Sequence, residues 1–168
     1  MNISMYQASV PRLINGLTNL SHLLGKAQAH AEAKKIDPVV FANMRLYPDM
    51  LPLSRQVQIA CDVSKGFVAR LVGVEIPTHE DTEKDLKDLQ ARIAKTIAFI
   101  ETFTPAQIDG TEDKDIVVKR GDKETHYKGM QFLLGHCLPN LYFHTTTTYS
   151  MLRSGGVEIG KSDYLGKI

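Results

Sequence analysis

The stretch Leu53-Ser54-Arg55-Gln56-Val57-Gln58-Ile59-Ala60-Cys61-Asp62-Val63-Ser64-Lys65-Gly66-Phe67-Val68-Ala69-Arg70-Leu71 decides the fold. At about 100° per residue, Leu53, Val57, Ala60, Val63, Phe67 and Leu71 fall on one stripe. That is the pattern of a helix with one face in a core. Gly73 and Pro77 bound it. Arg55, Gln58, Asp62 and Lys65 read as its charged outer face, with apolar Ile59, Cys61 and Val72 nearby.

Upstream, Val10, Leu13, Leu17, Leu20, Leu24 and Ala31 mark a first helix over about Ser4–Lys34. Ser4 is its expected N-cap, and Pro11 predicts a kink or a start at that point. Three prolines interrupt residues 35–52, where Asp37 and Pro38 should cap a short helix over Val39–Met44. The rest of that stretch should lie across one end as a lid. Downstream, a third helix is expected after Thr78, with Glu80, Asp81 and Glu83 in its first turn, where a helix dipole favours acids. Its stripe is Leu86, Leu89, Ile93, Ile97, Ile100 and Phe103, and Pro105 stops it. Ile116–Tyr127 reads as a β-hairpin around Gly121-Asp122. The fourth helix is expected from Met130 to Arg153, lined by Met130, Leu134, Leu138, Leu141, Thr145, Thr148 and Leu152 and ended by Gly155-Gly156. Residues 157–168 show no periodicity. This order predicts an all-α fold: a four-helix bundle with a small β-hairpin between the third and fourth long helices, in one domain over residues 1–168.

Composition narrows the function. Twenty basic and 19 acidic residues give a net charge of +1, which offers no basic stripe for nucleic acid or an anionic membrane. No run of about 18 apolar residues spans a bilayer, and residues 1–12 lack the basic start and apolar run of a secretion signal. The two cysteines, Cys61 and Cys137, form no CxxC pair and sit in apolar helical stretches. A reduced, cytoplasmic protein with buried thiols is expected.

Two motifs mislead. Gly155-Gly156-Val157-Glu158-Ile159-Gly160-Lys161-Ser162 satisfies the P-loop pattern, but a helix precedes it where phosphate binding needs a strand, and only six residues follow. It reads as a helix end and a docked tail. Arg120-Gly121-Asp122 reads as a hairpin turn. The histidines are mostly peripheral: His22 and His30 lie more than about 130° from the apolar stripe of their helix. His136 faces outward, and His79 and His126 fall in a loop and a hairpin arm. His144 differs, since it lies about 60° from Leu141, at the edge of the inner face. No H-x-x-x-H pair offers a helical zinc seat.

A set of polar residues falls where apolar ones are expected: Gln28; Gln56 and Ser64; Arg92 and Thr96; His144, Thr145 and Thr148. Burying such groups unpaired costs about 1–3 kcal/mol each. They either satisfy one another or line a pocket between helices near Gln56 and His144. In a pocket, His144 would be the proton carrier and candidate catalytic residue. Gln56, Thr148 and Gln28 would contact ligand, and Arg92 could hold a carboxylate or phosphate. The wide apolar arcs of the second and fourth helices, through Phe132, Phe143 and Met151, suggest a homodimer.

Several stretches carry a family pattern: Leu46–Asp62; Leu89–Thr96; Leu138-Pro139-Asn140-Leu141-Tyr142-Phe143-His144-Thr145-Thr146-Thr147-Thr148-Tyr149 with Leu152-Arg153; and Gly156–Gly166. Together they resemble a bacterial family of unknown function within the DinB-like superfamily. The resemblance implies an up-down-down-up four-helix bundle, commonly dimeric. Gly73–Glu80, about 26 Å when extended, would then connect the parallel second and third helices. It also implies a divalent metal, zinc or nickel, held by one histidine of the second helix and two of the fourth, with thiol transfer or other small-molecule chemistry. This chain departs from that triad. Gln56 stands for the first histidine, His144 is the one imidazole on the fourth helix's inner side, and Thr148 follows it by one turn. Amide and hydroxyl oxygens hold zinc poorly, so the triad reads as degenerate, with His144 the sole metal candidate. Three functions remain in view: a small-molecule site around His144, a metal-dependent small-molecule or thiol transferase or hydrolase, and a non-catalytic dimeric binding or scaffold module.

Overall fold

Ser4 opens the first helix: its Oγ accepts from the Gln7 amide, and the Gln7 side chain accepts in return from the Ser4 amide. In the computed structural model, which describes residues 3–166, this helix, α1, runs Met5–Lys34. It passes through Pro11 instead of beginning there. Proline forfeits one hydrogen bond, at about 3 kcal/mol, but Val10, Leu13, Leu17 and Leu20 around it are fully buried. Each such side chain contributes about 1.5–3 kcal/mol, which decides for continuation. Next come α2 (Pro38–Asn43), capped by Asp37, and α3 (Leu53–Val72). α4 (Leu86–Ile100) and the single-turn α5 (Pro105–Ile108) follow. Strands β1 (Asp115–Arg120) and β2 (Lys123–Lys128) form one antiparallel pair in the register Ile116↔Tyr127, turning at Gly121-Asp122. Gly121 has φ +57, which suits glycine in a two-residue hairpin. The chain closes with α6 (Gly129–Phe132), α7 (Leu138–Ser154) and α8 (Lys161–Leu165). The protein is thus mostly helical, with one two-stranded antiparallel sheet.

α3 packs on α7 and α4, and α1 packs on α4 and α7, around one continuous apolar cluster. His144 lies opposite Gln56 and Cys137 opposite Val63, so α7 runs against α3. The chain beyond α4 returns to the C-terminal end of α3, where Lys114 Nζ donates to the Leu71 carbonyl. Among the described residues no helix is long and apolar enough to cross a membrane.

Two expectations need correction. First, α4 begins at Leu86, not after Thr78. Asp85 is the cap, accepting from the Lys87 and Asp88 amides. Glu80, Asp81 and Glu83 therefore lie in an irregular connector over residues 73–85 and not in a first turn. Second, Leu134 is not in the core: it is 58% exposed, whereas Leu133 is fully buried. The reason is a five-residue stretch of π-helix, Leu133–Cys137, between α6 and α7. Its wider turn inserts one residue, so the apolar stripe upstream shifts by one position. The stretch after α7, expected as a docked tail without periodicity, is docked and carries the short helix α8. The bond from Asn19 Nδ2 to the Leu165 carbonyl (2.8 Å) and the Lys26–Asp163 pair (2.7 Å) dock α8 on α1; residues 167–168 lie outside the described residues. At the start of α8 the Asp163 carboxylate accepts from the Gly160 amide (2.8 Å), so the P-loop-like stretch carries its own anion. Lys26 and that amide hold the Asp163 carboxyl down at about 2.

The shifted stripe is directly measurable. Leu133→Ala should cost about 2–5 kcal/mol in denaturant unfolding. Leu134→Ala should change stability by less than about 0.5 kcal/mol. The reverse order would restore the regular helical phase and refute the π-stretch.

Candidate functional site

Gln56 and Gln58 stand two residues apart on α3, about 200° around its axis. They therefore face two different neighbours, and they divide the polar residues into two groups.

Gln56 faces α7. Its Nε2 donates to the Leu51 carbonyl (3.1 Å), in the segment that leads into α3. That fixes the amide with Oε1 toward His144, whose Nδ1 lies 2.7 Å away. An amide oxygen only accepts, so the network assigns the proton to Nδ1 and leaves a lone pair on Nε2 of the neutral ring. His144 is 8% exposed, and the edge of Phe143 covers it with ring centroids 5.2 Å apart at 89°. Burial pushes the imidazole below its usual 6.5, so it is uncharged at neutral pH.

The buried hydroxyls satisfy themselves. Thr148 donates to the His144 carbonyl (2.9 Å), Thr145 to Leu141 (2.7 Å), Ser64 to Ala60 (2.8 Å) and Thr96 to Arg92 (2.9 Å). Each reaches the carbonyl four residues earlier on its own helix, so none requires a ligand. Gln28 donates to Glu32 Oε1 (2.8 Å) on the surface of α1, and no described contact joins it to His144.

Gln58 faces the connector. Its Nε2 donates to Glu83 (2.8 Å), and its Oε1 accepts from Arg55 (2.8 Å), which also pairs with Asp81. Arg92, with its side chain 2% exposed, centres this group. It pairs with Asp62 (2.9 Å), Glu83 (2.9 Å) and Asp81 (3.1 Å) and donates to the Glu80 carbonyl (3.1 Å). Burial opposes its charge, but the Glu83 hydrogen bond and the Asp62 and Glu83 charges outweigh it and raise its pKa. Its Nε and the Nδ1 of nearby His79 are buried without partners. The structure therefore brings Gln56, His144 and Thr148 together but places Arg92 on the other side of α3, on carboxylates of its own chain.

The same connector overturns the reading of α3's outer face. Gln58 (3%), Lys65 (4%) and Cys61 (0%) are buried. Phe132 and Met151 are buried too, so none of these residues adds outer apolar surface for a dimer. Desolvation raises the Cys61 thiol to about 12 and pushes Cys137 up as well, which makes both unreactive. Sequence reasoning missed two parts of the His144 group. The Leu51 carbonyl carries no signal in sequence. Phe143, read as surplus apolar surface, could have been noticed as the neighbour of the inward imidazole.

The donors around His144 do not fit the metal that the superfamily resemblance implies. The Gln56 oxygen is engaged by His144 itself, on the nitrogen that a ligating Nε2 leaves free, and Thr148 is turned to its helix. Among the described residues no group of three or more His, Cys, Asp or Glu side chains could hold an ion.

Long helices enclosing a polar centre between α3 and α7 define a DinB-like protein. The solved structure of a DinB family member protein from Shewanella denitrificans is similar at 42% identity, with a TM-score of 0.87, covering 97% of this chain and 92% of that one. The chain belongs to the family described as a domain of unknown function, DUF1993, whose profile matches residues 5–165. No curated protein matches the chain.

Burial gives His144 a pH signature. Its folded-state pKa lies below 6.5. Above 6.5 both states are neutral and the residue has no effect on stability. As pH falls below 6.5 the unfolded chain takes up the proton first, and stability declines until the folded pKa is reached. His79, also lowered, mainly by desolvation, acts in the same direction. An NMR titration should place His144 below 6.5, and Phe143→Ala should raise it by readmitting water. A wild-type His144 that titrates at 6.5 or above contradicts the geometry.

Proposed function

We propose that the protein is a metal-independent DinB-like bundle protein whose polar centre, His144 under Phe143, binds a small molecule. The fold in this reading is a single-domain, up-down-down-up four-helix bundle. The packing of α1, α3, α4 and α7 around one core supports it, as does the run of α7 against α3. One observation carries the functional reading: the chain from His144 Nδ1 through Gln56 to the Leu51 carbonyl. It locks one tautomer and leaves Nε2 as a neutral acceptor at a desolvated position. Such a nitrogen accepts a proton or a hydrogen bond from an O–H, N–H or S–H group of a ligand. Phe143, in ring contact with the imidazole and itself 60% exposed, would border such a ligand. The alternative, a zinc- or nickel-dependent transferase or hydrolase, lacks a donor set of His, Cys, Asp or Glu among the described residues. The near-neutral charge and the buried free thiols support a cytoplasmic protein that binds neither nucleic acid nor membrane.

Metal analysis of protein purified without an affinity tag should find zinc and nickel well below one per chain. Nitrogen-15 NMR should show His144 protonated on Nδ1 and bare on Nε2. Stoichiometric metal that disappears with His144→Ala, or the opposite tautomer, overturns the reading.

A second reading, a dimeric binding module, rests on a different observation. Leu46, Tyr47 and Leu51 from the segment before α3, with Tyr142 and Phe143 of α7, are exposed. Leu46, Met50, Tyr142 and Phe143 share one groove. Exposed apolar surface of this kind favours a homodimer through this face. Light scattering should then give a dimer for the wild type and a monomer for Phe143→Asp. A strict monomer at high concentration counts against it.

A further inference from the structure

Arg92 and Arg12 stand in opposite states. Arg92 is filled by carboxylates of its own chain. Arg12, exposed on α1, makes no hydrogen bond or ion pair among the described residues. It stands at the rim of a crevice of about 380 Å³ between α1, α7 and α8, which also presents Asn15, Tyr142 and Tyr164.

The crevice is built by identifiable contacts. Gly16 lets α1 come close to α7: a Cβ there would lie 3.0 Å from Leu141 Cδ2. Asn19, 8% exposed, pins α8 across α1 through the Leu165 carbonyl (2.8 Å) and donates to Asn15 Oδ1 (3.2 Å). That second bond orients the Asn15 amide and leaves its NH2 without a partner among the described residues. The Tyr164 hydroxyl bonds Thr146 Oγ1 (3.1 Å), which fixes that ring at the crevice. Two aromatic rings, a floor of Gly16 and Thr145, and two unengaged donor groups at one rim remain.

We infer that this crevice binds a small aromatic carboxylate, its acid group held by Arg12 and Asn15 and its ring between Tyr142 and Tyr164. A guanidinium fork with an adjacent amide NH2 matches a planar carboxylate. Aryl walls favour a flat, apolar body. The volume falls within the range of small-molecule sites, at the small end, which suits a single ring. The crevice lies on the α1 side of α7, apart from the His144–Gln56 contact on the α3 side, so it stands whether or not His144 binds a ligand.

Benzoate and benzamide, equal in shape and different in charge, provide the test in an NMR titration of the full chain. Benzoate should give saturable shifts of amides near Gly16 and Thr145, and benzamide should bind roughly tenfold more weakly. Arg12→Gln should abolish that preference, and Asn15→Phe should block both ligands. Arg12 is exposed and holds no hydrogen bond or ion pair among the described residues, so the thermal melt of Arg12→Gln should match the wild type, whereas Asn15→Phe gives up the bond from Asn19 and should melt slightly lower while remaining folded. The inference is overturned by any of three results: no saturation up to about 10 mM benzoate, equal affinity for the two ligands in the wild type, or benzoate binding within twofold of wild type in both variants.

Discussion

A connector that must travel back along a helix needs something to hold it, and here that anchor is the Arg92 guanidinium. α3 is 20 residues long, about 30 Å at 1.5 Å per residue. Residues 73–85 leave its C-terminal end and reach Arg55 and Gln58 in its first half. Thirteen residues (73 to 85) can extend to about 43 Å, whereas the eight of Gly73–Glu80 reach about 26 Å. The late start of α4 at Leu86 is thus the length requirement of the crossover, met by using acidic residues as connector and not as helix. An irregular strap has no ladder to satisfy it. Arg92 supplies the hold by pairing with Asp81 and Glu83 of the strap and with Asp62 of α3. A guanidinium this buried and deprived of partners would be strongly destabilising, so helices and strap depend on one another.

This anchoring decides where polar chemistry is left over. Once the strap lies over Gln58 and Lys65 and Arg92 engages Asp62, that side of α3 is occupied by the protein's own charges. The opposite side, carrying Gln56, is the one left to meet α7. There Gln56, standing where the superfamily resemblance implies a histidine, is an amide that serves the imidazole of His144 from behind. Gln56 therefore orients and does not ligate. The bond from its Nε2 to the Leu51 carbonyl keeps that amide from flipping.

Much of the architecture was legible in the sequence because it rests on periodicity and caps. Ser4 and Asp37 mark boundaries through local backbone chemistry, and the stripes of α1, α3 and α4 persist over several turns, although α4 ends at Ile100 and Pro105 opens α5 instead of stopping α4. What failed to show was non-local or broke the period. The π-stretch at Leu133–Cys137 moves Leu133 inward and Leu134 outward, which no fixed angle per residue can foresee. Lys65 is buried beside a strap whose path the sequence does not spell. Of the candidate site, the Gln56–His144 pairing follows from two inner stripes facing one another. Arg92 misled because an inward arginine reads the same whether its partners are a ligand's oxygens or the protein's own.

That ambiguity separates the arginines and histidines of this fold by what their donors and acceptors already do. Arg92 has carboxylates on its terminal nitrogens, and any anionic ligand would have to displace Asp62 or Glu83 from a buried site. His144 has one ring nitrogen engaged and the other unprotonated, so it can accept but, at neutral pH, cannot donate through that nitrogen. Arg12 has no hydrogen-bonding or ionic partner among the described residues, yet it sits beside two tyrosine rings brought there by a glycine contact and a docked tail. An exposed charge gains little from recognition in open water, because solvent already satisfies it. Beside apolar walls that a ligand can cover, the same charge is desolvated together with its partner, and the interaction strengthens. The α1–α7–α8 crevice supplies those walls, which is why the less conspicuous arginine is the better placed of the two to recognise a ligand.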